Sequence, residues 1–141
     1  MILLDTDHLN ILQIGKGSLY ESLADRMQAS PDQLFATTVI TFEEHMRGWL
    51  ARIRQARAIT NQVRPYDQLI RLVRFFQAWE IVRFDQNAAE RFEDLRRQRI
   101  RIGTQDLKIA CIALEHDALL LSANLSDFNH VAVLRVEDWL H

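Results

Sequence analysis

Four carboxylates stand where an apolar run ends or a helix begins. They are Asp5 after Ile2-Leu3-Leu4, Glu44 after Val39-Ile40, Asp106 heading the Ile109–Leu114 helix, and Asp127 shortly after Leu119-Leu120-Leu121. In an open α/β sheet, functional groups collect in the crevice beyond the carboxyl ends of the strands. Four negative charges meeting there cannot all stay ionised without help: their pKa values rise, or a cation joins them. An all-oxygen, acid-rich donor set suits Mg²⁺ or Mn²⁺. The chemistry expected of such a pocket is metal-dependent phosphoryl transfer or phosphodiester cleavage.

Each acid also has a plainer reading. Asp5 and Asp7 flank Thr6 at the start of a helix, and one of them suffices as its cap. Asp5 is therefore assigned to the site, and Asp7 is left as a cap or an outer group. Thr41-Phe42-Glu43-Glu44 is a capping box, in which Glu44 reaches back to the helix start. Against this, Gly48 lies one turn further on, where a mid-helix Gly costs about 1 kcal/mol relative to Ala. It suggests close approach by another segment on the Glu44 side, and the two readings stay balanced. Asp106 suits the positive end of a helix dipole, and Asp127 sits in a polar stretch after a strand, where Asp is commonplace. The five histidines, His8, His45, His116, His130 and His141, lack the spacing of a zinc site, and one cysteine cannot complete one. Gly15 and Gly17 do not make a phosphate-binding loop. Trp49, Phe75, Phe76 and Trp79 fall in helical stretches and read as core rather than as stacking platforms for bases.

The elements that must position these residues alternate between strand and helix. Met1–Leu4 reads as a buried strand and Thr6–Gln13 as a helix ended by Gly15, with Ser18 capping a second helix to about Ala29. Leu34–Val39 is a second strand, Thr41 to roughly Ile59 a long helix, and Val63-Arg64-Pro65 a break. Tyr66–Trp79 carries Leu69, Ile70, Leu72, Val73 and Phe76 at helical spacing, implying one packed face. Glu80–Phe84 is a third strand, Asp85 caps a helix to about Arg97, and Gly103-Thr104 opens another to His116. Leu119–Ser122 and Ala132–Val136 complete the strands. This alternation implies an α/β fold with a mostly parallel sheet covered on both faces.

Composition narrows the function further. With 141 residues, 48% apolar and 26% charged, the chain reads as a single domain, 1–141, with a sizeable core. Cys111 lies in Ile109-Ala110-Cys111-Ile112-Ala113 and reads as a small buried hydrophobe rather than a nucleophile. No apolar run reaches the ~20 residues that span a bilayer. Asp5 and Asp7 stand where a signal peptide would carry positive charge, so the expected location is cytoplasmic. Net charge is −2, but residues 47–101 hold 13 Arg against six acids, while the remainder holds four Lys or Arg against 13 acids. Every base in the middle segment is Arg, the side chain that forks onto phosphate. A basic surface beside an acidic pocket is what a nuclease needs, although for any single Arg a solvated salt bridge is the commoner fate. The best-placed Arg are Arg47, close in sequence to Glu44, and Arg96, Arg97, Arg99 and Arg101, which lead into Asp106.

Taken in order, these segments resemble a known family. Ile2-Leu3-Leu4-Asp5-Thr6-Asp7 is similar to the opening of PIN-domain proteins, and Thr41-Phe42-Glu43-Glu44-His45-Met46-Arg47-Gly48 matches their T-x-x-E-x-x-x-G helix. Gly103-Thr104-Gln105-Asp106-Leu107-Lys108-Ile109-Ala110 resembles their D-x-x-I-A segment, and Ser122-Ala123-Asn124-Leu125-Ser126-Asp127-Phe128 their closing T-x-N-x-x-D-F. The resemblance covers essentially the whole chain, and length and spacing fit the toxins of VapBC toxin–antitoxin pairs. It implies a three-layer α/β/α sandwich and a Mg²⁺- or Mn²⁺-dependent endoribonuclease that leaves a 5′-phosphate and a 3′-hydroxyl. It also implies a homodimer silenced by a cognate antitoxin. By the same resemblance the catalytic and metal-holding residues are Asp5, Glu44, Asp106 and Asp127, supported by Asn124 and by Ser122 in place of a usual Thr. Asp7 replaces a more usual Asn, and Ala123 stands where many members carry Arg.

Two rival functions remain open on the sequence. Asp5-Thr6-Asp7 also suits a haloacid-dehalogenase-type phosphatase with Asp5 as nucleophile. That family wants Thr or Val where Leu9 stands, and a late Asp pair that Ser122–Phe128 does not supply. The other rival is a catalytically inactive PIN-fold module that only binds RNA or a partner.

Overall fold

In a computed structural model that describes residues 1–141, five strands form one all-parallel sheet. They are β1 (Ile2–Leu4), β2 (Phe35–Thr38), β3 (Glu80–Val82), β4 (Leu119–Leu121) and β5 (Arg135–Glu137), in spatial order β3-β2-β1-β4-β5. Seven helices accompany them: α1 (Thr6–Ile14), α2 (Ser18–Ala29), α3 (Val39–Gln55), α4 (Val63–Gln77), α5 (Gln86–Arg97), α6 (Thr104–Glu115) and α7 (Leu125–Phe128). The alternation of the sequence predicts this parallel sheet covered on both faces, and the three-layer α/β/α sandwich is the one that the resemblance implies. No helix is long and apolar enough to cross a membrane.

The period-2 alternation of a strand divides the apolar run Ile2-Leu3-Leu4 between two cores. Leu3, paired with Ala36 and Leu120, joins Phe92, Phe128 and the helix residues Leu107 and Ile109–Ala113 on one face. Ile2, Leu4 and Leu121 pack with Leu9, Leu23, Leu72, Phe76 and Trp139 on the other. α6 is buried from Ile109 through Ala113, which explains its continuous apolar stretch. Cys111 lies within it, and burial pushes its thiol up to about 11, so it behaves as a small core hydrophobe. β1 is further stitched to β2 by the Thr37 hydroxyl, which donates to the Leu4 carbonyl at 2.9 Å inside the core.

Several boundaries differ from the sequence reading, each for a local reason. α3 starts at Val39 because Thr38, not Thr41, is the cap: its hydroxyl accepts from the Thr41 N–H at 3.1 Å. Glu44 is thus the sixth residue of the helix and no partner in a capping box. Pro65 does not break the chain, but sits in the first turn of α4, where a missing N–H is tolerated. The break falls earlier, between Gln55 and a 3₁₀ turn at Ile59–Gln62. The last strand begins at Arg135 rather than Ala132, since Val133 adopts a left-handed φ of 60° that extended backbone excludes. α4 has two apolar faces instead of one. Leu72 and Phe76 are buried, whereas Ile70 and Val73 face solvent, in line with Val63 and Tyr66.

Candidate active site

β1 is the central strand, and the chain leaves it toward β2 on one side and pairs it with β4 on the other. That is the switch point of the sheet, where the crevice of an open α/β fold lies. Asp5 and Ser122 are the residues immediately beyond β1 and β4, and they meet there. The Ser122 hydroxyl donates to Asp5 Oδ2 at 2.9 Å, and the Asp5 N–H donates to the Leu121 carbonyl at 3.0 Å. Asp5 is also the N-cap of α1, its Oδ1 accepting from the Thr6 N–H at 2.8 Å. The residue assigned to the site from the sequence is therefore also the cap.

The other acids arrive on three helices. Glu44 comes from the first third of α3 and accepts from the Thr6 hydroxyl at 3.1 Å, which ties it to the turn that carries Asp5. Asp106, in the first turn of α6, and Asp127, in α7, are held by one side chain. Asn124 Nδ2 donates to Asp106 Oδ2 at 3.1 Å and to Asp127 Oδ2 at 3.0 Å. The Asn124 N–H in turn donates to the Ser122 hydroxyl at 3.1 Å. The stretch read as a polar loop is thus a short helix that presents Asp127.

Electrostatics register the crowding. Burial pushes Asp5, only 7% exposed, up to about 6, and the charges of Asp7 and Glu44 add to the effect. Burial likewise raises Glu44, with help from the Asp106 charge, and raises Asp106, with help from Asp127 and Asp7. Asp7 goes the other way. Burial alone would raise it, but donors surround it: His8 N–H and Nδ1 and the Ala123 N–H all lie at 2.7 Å from its oxygens and hold it below the usual carboxylate range. A charged Asp7 is thus part of this cluster.

His8 is a residue that the sequence reading passed over. Its ring is wholly buried. Because the Trp139 N–H donates to Nε2 at 3.1 Å, Nδ1 carries the proton and donates to Asp7. His8 thereby joins the first turn of α1 to the segment after β5. The only signal in the sequence is a His directly after Asp7 in a short helical stretch, which has many fates.

The donor set fits a hard divalent cation: four carboxylates, a hydroxyl and an amide, all of them oxygen ligands or donors to them. Each acid rests on a neutral donor, Ser122, Thr6 or Asn124, and burial, aided by neighbouring carboxylate charges, makes Asp5, Glu44 and Asp106 hold their protons more tightly. No three acid, histidine or cysteine side chains stand close enough to enclose an ion as arranged.

The remaining assignments separate. Gly48 is not approached by any other segment: a Cβ there would meet nothing within 4 Å, and the residue opens onto a groove beside Glu44. Arg47 is paired with Glu43 at 2.7 Å, Arg97 is paired with Asp94, and Arg96 lies 5.3 Å over the Phe92 ring. Arg99, at φ 56°, and Arg101 lie on the exposed link from α5 to α6. None of the five hydrogen-bonds a site carboxylate. The Arg-rich middle is also not one surface, because α4 packs on one face of the sheet and α5 on the other.

No family model and no curated protein matches the sequence. Solved structures do match it in shape. A chain of VapBC-1 from nontypeable Haemophilus influenzae is 23% identical, with all of both chains covered and a TM-score of 0.72. A chain of DNA-bound VapBC from Salmonella typhimurium is 21% identical over 98% of this chain and 97% of that one, with a TM-score of 0.73. Mycobacterium tuberculosis VapC20, described as a sarcin–ricin loop cleaving toxin, is 16% identical over 95% and 99%, with a TM-score of 0.54. At these identities the likeness is one of fold, and it extends over nearly the full length of each chain. The protein has the PIN-like fold of chains found in VapBC toxin–antitoxin structures.

Proposed function

We propose that this protein is a divalent-metal-dependent endoribonuclease and the toxin of a toxin–antitoxin pair. The observation that carries the reading is the meeting of Asp5, Glu44, Asp106 and Asp127 at the switch point of the sheet, with three of them pushed toward protonation. A catalytically silent module has no use for such a cluster, since unneutralised like charges only destabilise it.

Asp5 and Asp106 would hold the cation, with Glu44 and Asp127 as further ligands or acting through bound water. When bound, Mg²⁺ or Mn²⁺ lowers the pKa of a water molecule and offsets charge on the phosphate oxygens. The chain's own residues set the stage for this. Ser122 fixes the rotamer of Asp5, Thr6 aims Glu44, and Asn124 keeps Asp106 and Asp127 at a common distance from its amide. Asp7, kept ionised by His8 and the Ala123 N–H, adds negative potential at the rim. No side chain is needed as a covalent nucleophile, so a phosphatase that works through an aspartyl phosphate is not favoured.

Arg47 and the Arg96, Arg97, Arg99 and Arg101 cluster are proposed to grip the RNA backbone, with Arg47, Arg96 and Arg97 giving up their present contacts to do so. A protein partner is favoured by the exposed apolar residues Ile59, Val63, Tyr66, Ile70 and Val73, which recur at intervals of four and three along α4 and the turn before it. That is the spacing of a seam between helices. It suits a homodimer or a helix of the antitoxin, which the VapBC complexes of like fold also suggest. The proposed location is the cytoplasm.

The test is cleavage of single-stranded RNA by the purified chain in Mg²⁺, in Mn²⁺ and in EDTA, with Asp106→Asn alongside. Cleavage that needs the ion and disappears in the variant supports the reading. Cleavage that persists in EDTA, or at full rate in Asp106→Asn, rejects it.

A further inference from the structure

A groove of about 230 Å³ starts at Thr6 and Glu44 and runs along α3 past Gly48 to Trp49 and Arg52, with Asn10 of α1 as its other wall. It is smaller than the pockets that enclose drug-sized ligands. Sharing Asn10 and Trp49, it continues into a second groove of about 530 Å³ that reaches Arg71. Four features set it apart from the rest of the surface. The Arg52 guanidinium lies 4.8 Å from the Trp49 ring centroid, a cation–π contact that places a cation and an aromatic ring together on the groove wall, and neither Arg52 nor Arg71 has an acidic partner. Gly48 leaves the floor open, since a Cβ there would project into free space. His45 lines the same groove, and its Nε2 is the one buried side-chain nitrogen or oxygen without a hydrogen-bond partner. Finally, the groove opens onto the carboxylate cluster through Glu44.

We propose that this groove is a nucleotide subsite, in which the nucleotide next to the scissile phosphate lays its base on the Arg52–Trp49 pair and its phosphate against Arg52. The proposal rests on the ribonuclease reading and adds to it the part of the protein that seats a base. Bases unstacked from a single strand find aromatic rings and guanidinium planes as platforms. A paired strand cannot present them, so the groove selects single-stranded RNA. An unpaired cation is required near a centre this acidic, because the carboxylates repel the incoming phosphate. Arg52 is the nearest free one along the groove, and Arg71 continues the track for the next phosphate. Gly48 serves the subsite by its lack of a side chain, which accounts for a helix-weakening residue in the middle of α3.

The probe is a fluorescein-labelled eight-nucleotide single-stranded RNA of mixed sequence, with the duplex form as control. Binding is measured by anisotropy in the full-length Asp106→Asn chain with Mg²⁺ present, across a range of salt. Trp49→Ala should weaken binding fivefold or more, and Trp49→Phe should restore most of it. Arg52→Ala should weaken it and reduce the salt slope by about 0.7, the value for one phosphate of a single strand. Trp49 is partly packed against the core, so Gly48→Leu supplies a variant that cannot be mistaken for unfolding. It should melt at the same temperature or higher, yet bind the probe more weakly. In the chain with Asp106 intact, Trp49→Ala should also change the base preference at one position beside the cut. If the wild-type chain cuts the probe but Gly48→Leu and Arg52→Ala bind it as tightly as their parent, the subsite is wrong and the nuclease reading stands. If the wild-type chain neither binds nor cuts RNA, both are wrong.

Discussion

Replacing Asp5 with Asn should make the metal-free protein more stable at neutral pH while abolishing the proposed RNA cleavage. In the fold, Asp5 is pushed from its ordinary 3.8 to about 6. The shift of roughly two units, at about 1.36 kcal/mol each, amounts to about 3 kcal/mol. A raised carboxyl pKa means that the folded protein holds the proton more tightly than the unfolded chain does. The associated stability is complete below pH 3.8 and is lost as pH rises toward 6. Above that, the ionised, 7% exposed carboxylate leaves the native state about 3 kcal/mol worse off than its protonated form. Asn has the same shape and never ionises. It gives back part of the gain, on the order of 1 kcal/mol, because a neutral oxygen accepts less strongly from the Thr6 N–H. The net expectation at pH 8 in EDTA is a gain of about 1–2 kcal/mol, equivalent to roughly 3–6 °C in melting temperature at this chain length. At pH 4 the gain should vanish. Urea titrations of both proteins from pH 4 to pH 8, followed by tryptophan fluorescence, measure it, and taking the difference cancels the other titrating groups. A variant that is less stable by the same amount at both ends of the range would show that Asp5 is not held against its charge.

Mg²⁺ or Mn²⁺ should raise the melting temperature in proportion to ln(1 + [L]/Kd), and the increment should disappear in the Asp5→Asn, Asp106→Asn double variant; an unchanged increment places the ion elsewhere. His8→Phe strands the Trp139 N–H and removes a donor from Asp7, so denaturant unfolding should register a loss of at least about 2 kcal/mol, and a loss below ~0.5 kcal/mol means that the buried network matters little. Ile70→Glu, at a position 52% exposed, should leave the unfolding midpoint within ~0.5 kcal/mol of its parent while reducing self-association in light scattering, or antitoxin binding; if both assemblies are untouched, the α4 seam is not an interface.

Much of the candidate site was legible because each acid lies next to an element with a strong local signature. Three leucines and isoleucines precede Asp5, a capless Gly103 and a buried apolar helix follow one another around Asp106, and the tripled leucine of β4 fixes the start of the Ser122–Asp127 segment. Those patterns are local, and local patterns predict element type well. What failed depended on side-chain partners chosen across the fold. Thr38 and Thr41 are both sound caps, and only the path of the chain out of β2 decides between them. Ile70 and Val73 look like core in a helical pattern, yet α4 offers the sheet its Leu72 and Phe76 instead. The value of Asp7 rests on an amide 116 residues away at Ala123 and on a histidine whose tautomer is set by Trp139. No spacing rule reaches that far.

The order of the strands also has a consequence for how the protein comes to life. The central strand, β1, is synthesised first, its neighbour β4 more than a hundred residues later, and the donor that satisfies His8 later still, at residue 139. All four strand pairings are parallel, so each must wait for a crossover to be made. A nascent chain that has passed residue 106 but not 127 holds three of the four acids and lacks the Asn124 amide and the Ser122 hydroxyl that orient them. Neither a chain interrupted during translation nor one clipped before β4 can assemble the four-acid cluster. The cluster is complete only once Ser122, Asn124 and Asp127 have all been made, so its orientation is among the last things the chain acquires.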